Sequence, residues 1–309
     1  MNLDHIFQPA IRRTASYAVY LAAPAAFLLA CALASCVLAY PFRFLAGDFL
    51  GFHTLISRGT LVILVLGLVL IGRRMRLGRA DIGLATGNRE FFAQFRRAFG
   101  IGVLMLILHF ALLVWIGARG INPGTLDYVR LARLAGKGLL IGLAVGLLEE
   151  SVFRGFLHAA LLRRLPPALA VGATAFYFAA LHFVRSELRF APEQIDWTSS
   201  FRFAFDSFGN LTHIQPDSFL ALFCAGVFLS CVRLAIPHGL AWCIGIHAGW
   251  VFVIKTFKPF THVDHHSDWN FLLSRFDGVI GYLSAAWITA LTMIVVWQRL
   301  RQPAIATAR

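Results

Sequence analysis

The sequence predicts an all-α protein, a polytopic membrane helix bundle of about eight transmembrane helices, and three observations predict it. First, 59% of the 309 residues are hydrophobic and only 14% are charged. The mean hydropathy of +0.72 is far above what the core of a soluble domain requires. Second, apolar runs close to the ~20 residues that cross a bilayer recur along the whole chain. Third, no linker, repeat or low-complexity segment divides the chain. Residues 1–309 therefore read as a single integral membrane domain.

The formal net charge of +13 narrows the partners. The chain has no zinc-finger spacing, no aromatic–basic repeat and no soluble region large enough to present a basic surface, which argues against nucleic acid. Membrane lipids are the expected partner, with basic loops against anionic headgroups.

The expected spans are 17–40, 54–73, 99–117, 138–162, 167–184, 218–235, 238–257 and 279–299. The segment MNLDHIFQPAIRRTASY ahead of the first lacks the basic start, short apolar stretch and small-residue cleavage site of a signal peptide, so span 1 is expected to be a retained anchor. After span 2 come Arg73, Arg74, Arg76, Arg79, Arg89, Arg96 and Arg97. There, in ADIGLATGNREFFAQFRRAFG, Phe92, Phe95 and Phe99 recur at helical spacing beside the arginines, which predicts a helix lying at the membrane interface. Arg163 and Arg164 follow span 4, and Arg299, Arg301 and Arg309 lie in the tail. With eight spans these basic segments share one side, which the distribution of lysine and arginine makes cytoplasmic, with both termini inside. The membrane is expected to be the plasma membrane, the inner one in a bacterium. Arg119, Arg130, Arg133 and Lys137, between spans 3 and 4, run against this orientation.

Cys31, Cys36, Cys224, Cys231 and Cys243 all lie in apolar runs, where a thiol packs as a small hydrophobe, and they form no disulfide framework or CxxC site. The stretch THVDHHSDW gathers His262, Asp264, His265 and His266, but at a spacing unlike an HExxH helix or a usual zinc arrangement, so a solvated loop is expected.

The chemistry concentrates in span 4. Glu149 and Glu150 stand near the middle of an apolar run from Gly138 to Leu162 whose only other charge is Arg154. Ionisable groups at membrane depth are costly and usually mark function. Helical geometry puts Arg154 one turn beyond Glu150, where the two form an i,i+4 ion pair, and turns Glu149 to another face. Glu150 with Arg154 is then a neutralised support, and Glu149 is the carboxylate left for acid–base work. Two further ionisable groups lie in apolar runs: His182, four residues after Phe178 in FYFAALHF, and His247 in CIGIHAGWVF.

The series Glu149-Glu150-x-x-x-Arg154, Phe178-x-x-x-His182 and His247, four residues before Val251, resembles the three motifs of the CAAX protease and bacteriocin-processing (Abi) family of intramembrane proteases. The resemblance covers spans 4 to 7, a core of about 138–257. It implies an eight-helix fold with a polar, water-filled cavity inside the bilayer and glutamate-driven hydrolysis of a peptide bond in a membrane-associated or lipidated substrate. It also implies that Glu149 with His182 activates the attacking water, that Glu150 and Arg154 orient the site, and that His247 stabilises the oxyanion. Phe178 and Val251 are supporting positions. Family members generally carry asparagine where this chain has Val251, which has no hydrogen-bond donor.

No cofactor is expected, although carboxylates and imidazoles are ordinary zinc ligands and leave zinc open. Two other classes share the pattern: a proton-coupled transporter, because buried Glu, His and Arg also build proton relays, and a catalytically silent membrane scaffold. For Glu149 and His182 to meet, span 5 is expected to continue as helix past Val184 into VRSELRF.

Overall fold

The computed structural model describes residues 4–46, 50–122, 124 and 127–301. Arg309, counted above among the basic residues of the tail, lies outside them. The chain forms α1 (Asp4–Ala46), α2 (Phe52–Arg74), α3 (Asn88–Trp115), β1 (Arg119–Ile121), α4 (Tyr128–Glu150), α5 (His158–Leu162), α6 (Pro167–Leu181), α7 (Trp197–Gly209), α8 (Pro216–Ala235), α9 (Leu240–Phe257), β2 (Thr261–Val263) and α10 (Tyr282–Arg301). Among the described residues, seven helical segments are long and apolar enough to cross a bilayer. The bundle is therefore polytopic and all-α as expected, with one candidate span fewer at full length. The exception is α6, whose 15 residues extend about 22 Å at ~1.5 Å per residue, short of a ~30 Å hydrocarbon layer.

The helices gather into two compact units. The first comprises 1–76, 160–173 and 180–214. In it α1 and α2 pack along each other and α7 lies against both. Cys36, Ala39, Phe52, Ile56 and Phe203 form a buried cluster, and Ser200 Oγ donates to the Cys36 carbonyl at 2.9 Å. Helix α7 lies between the expected spans 5 and 6, where no helix was expected. Asp196 starts it with a reciprocal cap, accepting from the Thr198 and Ser199 amides while Ser199 Oγ accepts from the Asp196 amide.

The second unit comprises 77–159, 174–179 and 215–309. At its centre α9 runs between α3 and α4, while α8 packs on α10. Ala98, Gly102, Met105, Leu106, His109 and Leu113 recur at helical spacing as the buried face of α3. The interfacial helix expected around Phe92, Phe95 and Phe99 is not separate: it is the first turns of the 28-residue α3. Of its aromatic side, Phe92 stays exposed and Phe99 meets protein. Phe99 lies against Phe252 of α9, with ring centroids 5.7 Å apart and the planes tilted.

β1 and β2 pair antiparallel, Gly120 opposite His262, so part of the His-rich stretch is a short strand. Arg119, 3% exposed, donates to Thr261 Oγ1 at 2.7 Å and to the Gly278 carbonyl. Arg130 lies over the Phe260 ring at 5.3 Å. Two of the four cations that ran against the expected orientation are thus engaged by protein groups. Helix α4 also begins ten residues ahead of the expected span 4, at Tyr128, so Arg130, Arg133 and Lys137 are helical.

The expected extension of span 5 does not occur. α6 stops at Leu181, His182 and Phe183 form a turn, and 184–190 is irregular. The reason is local competition for hydrogen bonds. Ser186 Oγ accepts from the Leu188 amide at 3.1 Å and donates to Asp206 at 2.5 Å, holding the backbone in a side-chain-closed turn where a helix would need that amide.

Candidate functional site

Three glycines aim the site. Gly138, Gly142 and Gly146 recur every four residues along α4, and Glu150 is the next position in the same row. The row faces α9 so closely that a Cβ added to Gly142 would lie 2.6 Å from the Ala248 carbonyl oxygen, and one on Gly146 would lie 2.9 Å from that of Ile244. On its far side α9 meets α3 in the same way, with Gly245 and Gly249 against the Phe95 and Phe99 carbonyls, each at 2.6 Å. Small residues at four-residue intervals let membrane helices approach to backbone contact. The consequence is that Glu150, which ends α4, is delivered to His247.

Beyond Glu150 the helix changes pitch. Ser151–Leu157 is a π-helical turn, a rare feature that is frequent at functional sites. The i,i+4 pair still closes: Arg154 Nη1 donates to Glu150 Oε1 at 2.8 Å, with both side chains 0% exposed. Arg154 Nη2 donates to the Gly226 carbonyl at 3.2 Å. Phe178 covers the guanidinium at 4.4 Å from its ring centroid and meets the His247 ring edge-on at 5.9 Å.

His247 joins the two glutamates. Its Nδ1 lies 2.7 Å from Glu150 Oε1, and its Nε2 lies 3.9 Å from Glu149 Oε2. The first is a short hydrogen bond; the second is too long for one. Charge balance with Arg154 makes Glu150 a carboxylate, which only accepts, so Nδ1 carries the proton in this contact. In the neutral ring Nε2 then holds a lone pair facing Glu149. The two glutamates differ as the helical spacing suggested. Glu150 is sealed, whereas the Glu149 side chain is 26% exposed, and Glu149 Oε2 has no hydrogen-bond partner among the described residues.

The structure brings Glu149, Glu150, Arg154, Phe178 and His247 together within the second unit. His182 stands one residue past α6 and belongs to the first unit. Val251, four residues beyond His247, is half-buried on α9. Among the described residues no group of three or more His, Cys, Asp or Glu side chains is arranged to hold a metal ion.

Sequence reasoning missed three parts of the site. The glycine row was visible as G-x-x-x-G-x-x-x-G-x-x-x-E in span 4. His158 was visible too, four residues beyond Arg154; it is 1% exposed, with Nδ1 3.3 Å from Thr174 Oγ1. Trp250 is the third. It is buried and three residues from His247, with the two ring centroids 6.3 Å apart, and nothing in the sequence distinguishes it from a packing aromatic.

Comparison with known proteins gives one match. No curated protein and no solved structure matches the chain. A family model described as type II CAAX prenyl endopeptidase Rce1-like matches residues 132–253, a stretch that contains Glu149, Glu150, Arg154, Phe178, His182, His247 and Val251. The resemblance carried by the three motifs is thereby borne out over that stretch: residues 132–253 are similar to the type II CAAX prenyl endopeptidase Rce1-like family.

Proposed function

We propose that the chain is a glutamate-dependent intramembrane endopeptidase that cleaves a peptide bond of a membrane-associated or lipidated substrate. The observation that carries this reading is the facing pair of Glu149 Oε2 and His247 Nε2, 3.9 Å apart, with His247 held on its other side by a charge-neutralised carboxylate. A water within hydrogen-bond reach of both atoms meets two acceptors, and one of them takes its proton as the oxygen attacks. The new C–O bond forms as the carbonyl π pair moves to oxygen. When the tetrahedral species collapses, the C–N bond breaks and the protonated base returns its proton to the leaving amine. Arg154 and Glu150 hold the imidazole, and the Phe178 ring closes over the guanidinium. His182 is assigned a role by the family resemblance alone.

The orientation of His247 favours a role in proton transfer over the oxyanion role that the resemblance suggested. With Nδ1 committed to Glu150, its free nitrogen accepts in the neutral ring. Reconstituted in liposomes, the protein is expected to shorten a farnesylated peptide ending in a CAAX-type tail, with the released tripeptide read by mass spectrometry. Proton flux without cleavage would overturn the reading in favour of a transporter.

Neither a metal nor another cofactor takes part in this reading. Exhaustive treatment with a zinc chelator is expected to leave the cleavage rate within about twofold; loss of activity that added zinc restores would overturn the metal-free scheme.

We also propose that α6 crosses as the eighth span and that both termini are cytoplasmic, in the plasma membrane or the inner membrane of a bacterium. This follows the arginines after α2, after α5 and at the end of α10. Fusions of alkaline phosphatase are expected to be inactive at either terminus, and an active carboxy-terminal fusion would remove one crossing.

A further inference from the structure

Four cations at one end of the second unit have no counter-charge in the protein. Arg133 and Lys137 stand one turn apart on α4, and Lys255 and Lys258 stand one turn apart at the end of α9. The two pairs are neighbours: Gly138, the residue after Lys137, lies so close to α9 that an added Cβ would be 3.4 Å from the Lys255 Cβ. None of the four makes an ion pair among the described residues. Asp127 is occupied as the cap of α4, accepting from the Val129 and Arg130 amides, each at 3.1 Å. Like charges one turn apart are destabilising unless an anion meets them. Their depth is that of lipid headgroups. Leu139, Leu140 and Leu143 begin an exposed apolar surface directly after Lys137. Trp115, which ends α3, and Tyr128, which starts α4, are exposed at the same end, where such rings mark the boundary of a bilayer.

We propose that Arg133, Lys137, Lys255 and Lys258 form a binding site for the headgroup phosphate of an anionic phospholipid, such as phosphatidylglycerol, in the leaflet that meets this end of the helices. Arg133 and Lys137 are two of the cations that run against the expected orientation. The other two, Arg119 and Arg130, are engaged by protein groups, and a lipid anion accounts for the pair that is not. Guanidinium offers a phosphate two parallel donors and ammonium adds a point charge, both charge-assisted. The acyl chains of the same molecule lie along the exposed leucines of α4, so one ligand meets the charge and the apolar surface below it, which a free phosphate cannot do. Lys137 is twelve residues from Glu149, about 18 Å along the helix, and the site stands independently of the endopeptidase reading.

The test titrates the full chain, in an uncharged detergent, with phosphatidylglycerol and with phosphatidylcholine, and counts bound lipids by native mass spectrometry. The wild-type protein is expected to hold one phosphatidylglycerol in preference to phosphatidylcholine. Arg133→Gln with Lys137→Gln should weaken that binding about thirtyfold, at roughly fivefold per cation removed, and Lys255→Gln with Lys258→Gln by a similar factor. Arg133→Lys with Lys137→Arg keeps the charge and should stay within about threefold. Phosphatidylglycerol should also raise the wild-type melting midpoint, since a ligand that binds only the folded state stabilises it. Each pair of glutamine substitutions should abolish that rise and leave the lipid-free midpoint unchanged. Equal binding of phosphatidylcholine overturns the assignment. So does an equal loss from Arg96→Gln with Arg97→Gln, near the other end of α3, which would make the effect one of overall charge. A midpoint rise of the same size with inorganic phosphate alone removes the lipid as the ligand.

Discussion

Glu149→Gln is expected to lower kcat for cleavage of a membrane-bound peptide by about 10²–10⁴-fold, the contribution of a positioned general base. The amide keeps the size of the carboxylate and removes its capacity to take a proton. Glu149 is 26% exposed, and its Oε2 makes no hydrogen bond among the described residues and faces His247 Nε2 only at 3.9 Å, so the protein should fold as before. The melting midpoint of the variant in detergent, measured beside single-turnover cleavage, separates lost chemistry from lost structure. A variant that retains more than a tenth of the wild-type rate would place the base elsewhere, with His247 the first candidate.

Arg154→Met is expected to act mainly on stability. It leaves Glu150, 0% exposed, as a buried charge with only His247 to meet it, and breaking one partner of a buried pair typically costs about 3–5 kcal/mol. Replacing both partners, by Glu150→Leu with Arg154→Met, should recover most of that loss, because well-packed apolar groups avoid the desolvation cost of both ions. The double variant should nevertheless be inactive: nothing then holds the His247 proton on Nδ1 or turns Nε2 toward Glu149. Unfolding in mixed micelles for the two singles and the double forms a cycle whose coupling energy measures the pair. Equal destabilisation by the single and the double would mean that the charge itself is not what the site depends on.

The contrast between these two variants follows the division between the glutamates, and that division was legible before any coordinates. Neighbouring residues on a helix point about 100° apart and residues four apart share a face, so Glu150 and Arg154 had to be partners if the segment was helical. The π turn at Ser151–Leu157 changes the local pitch without undoing the pair. It was not legible, because no residue preference of the sequence marks it. The end of α6 was misjudged for a different reason: hydropathy extends a span as far as apolar residues run, but Ser186 offers the backbone a competing set of hydrogen bonds.

The sequence by itself determined that this is a multi-pass membrane protein with the motifs of the CAAX protease family, roughly where most of its spans lie, and which charges share a helical turn. Those are properties of length, composition and a fixed local period, and they need no knowledge of what lies across the bundle. Only the tertiary structure decided that His247 meets Glu150 with one nitrogen and faces Glu149 with the other, across 97 residues of chain. That contact is set by how closely α4 and α9 approach. Gly142 and Gly146 allow the approach because they have no Cβ to hold the backbones apart.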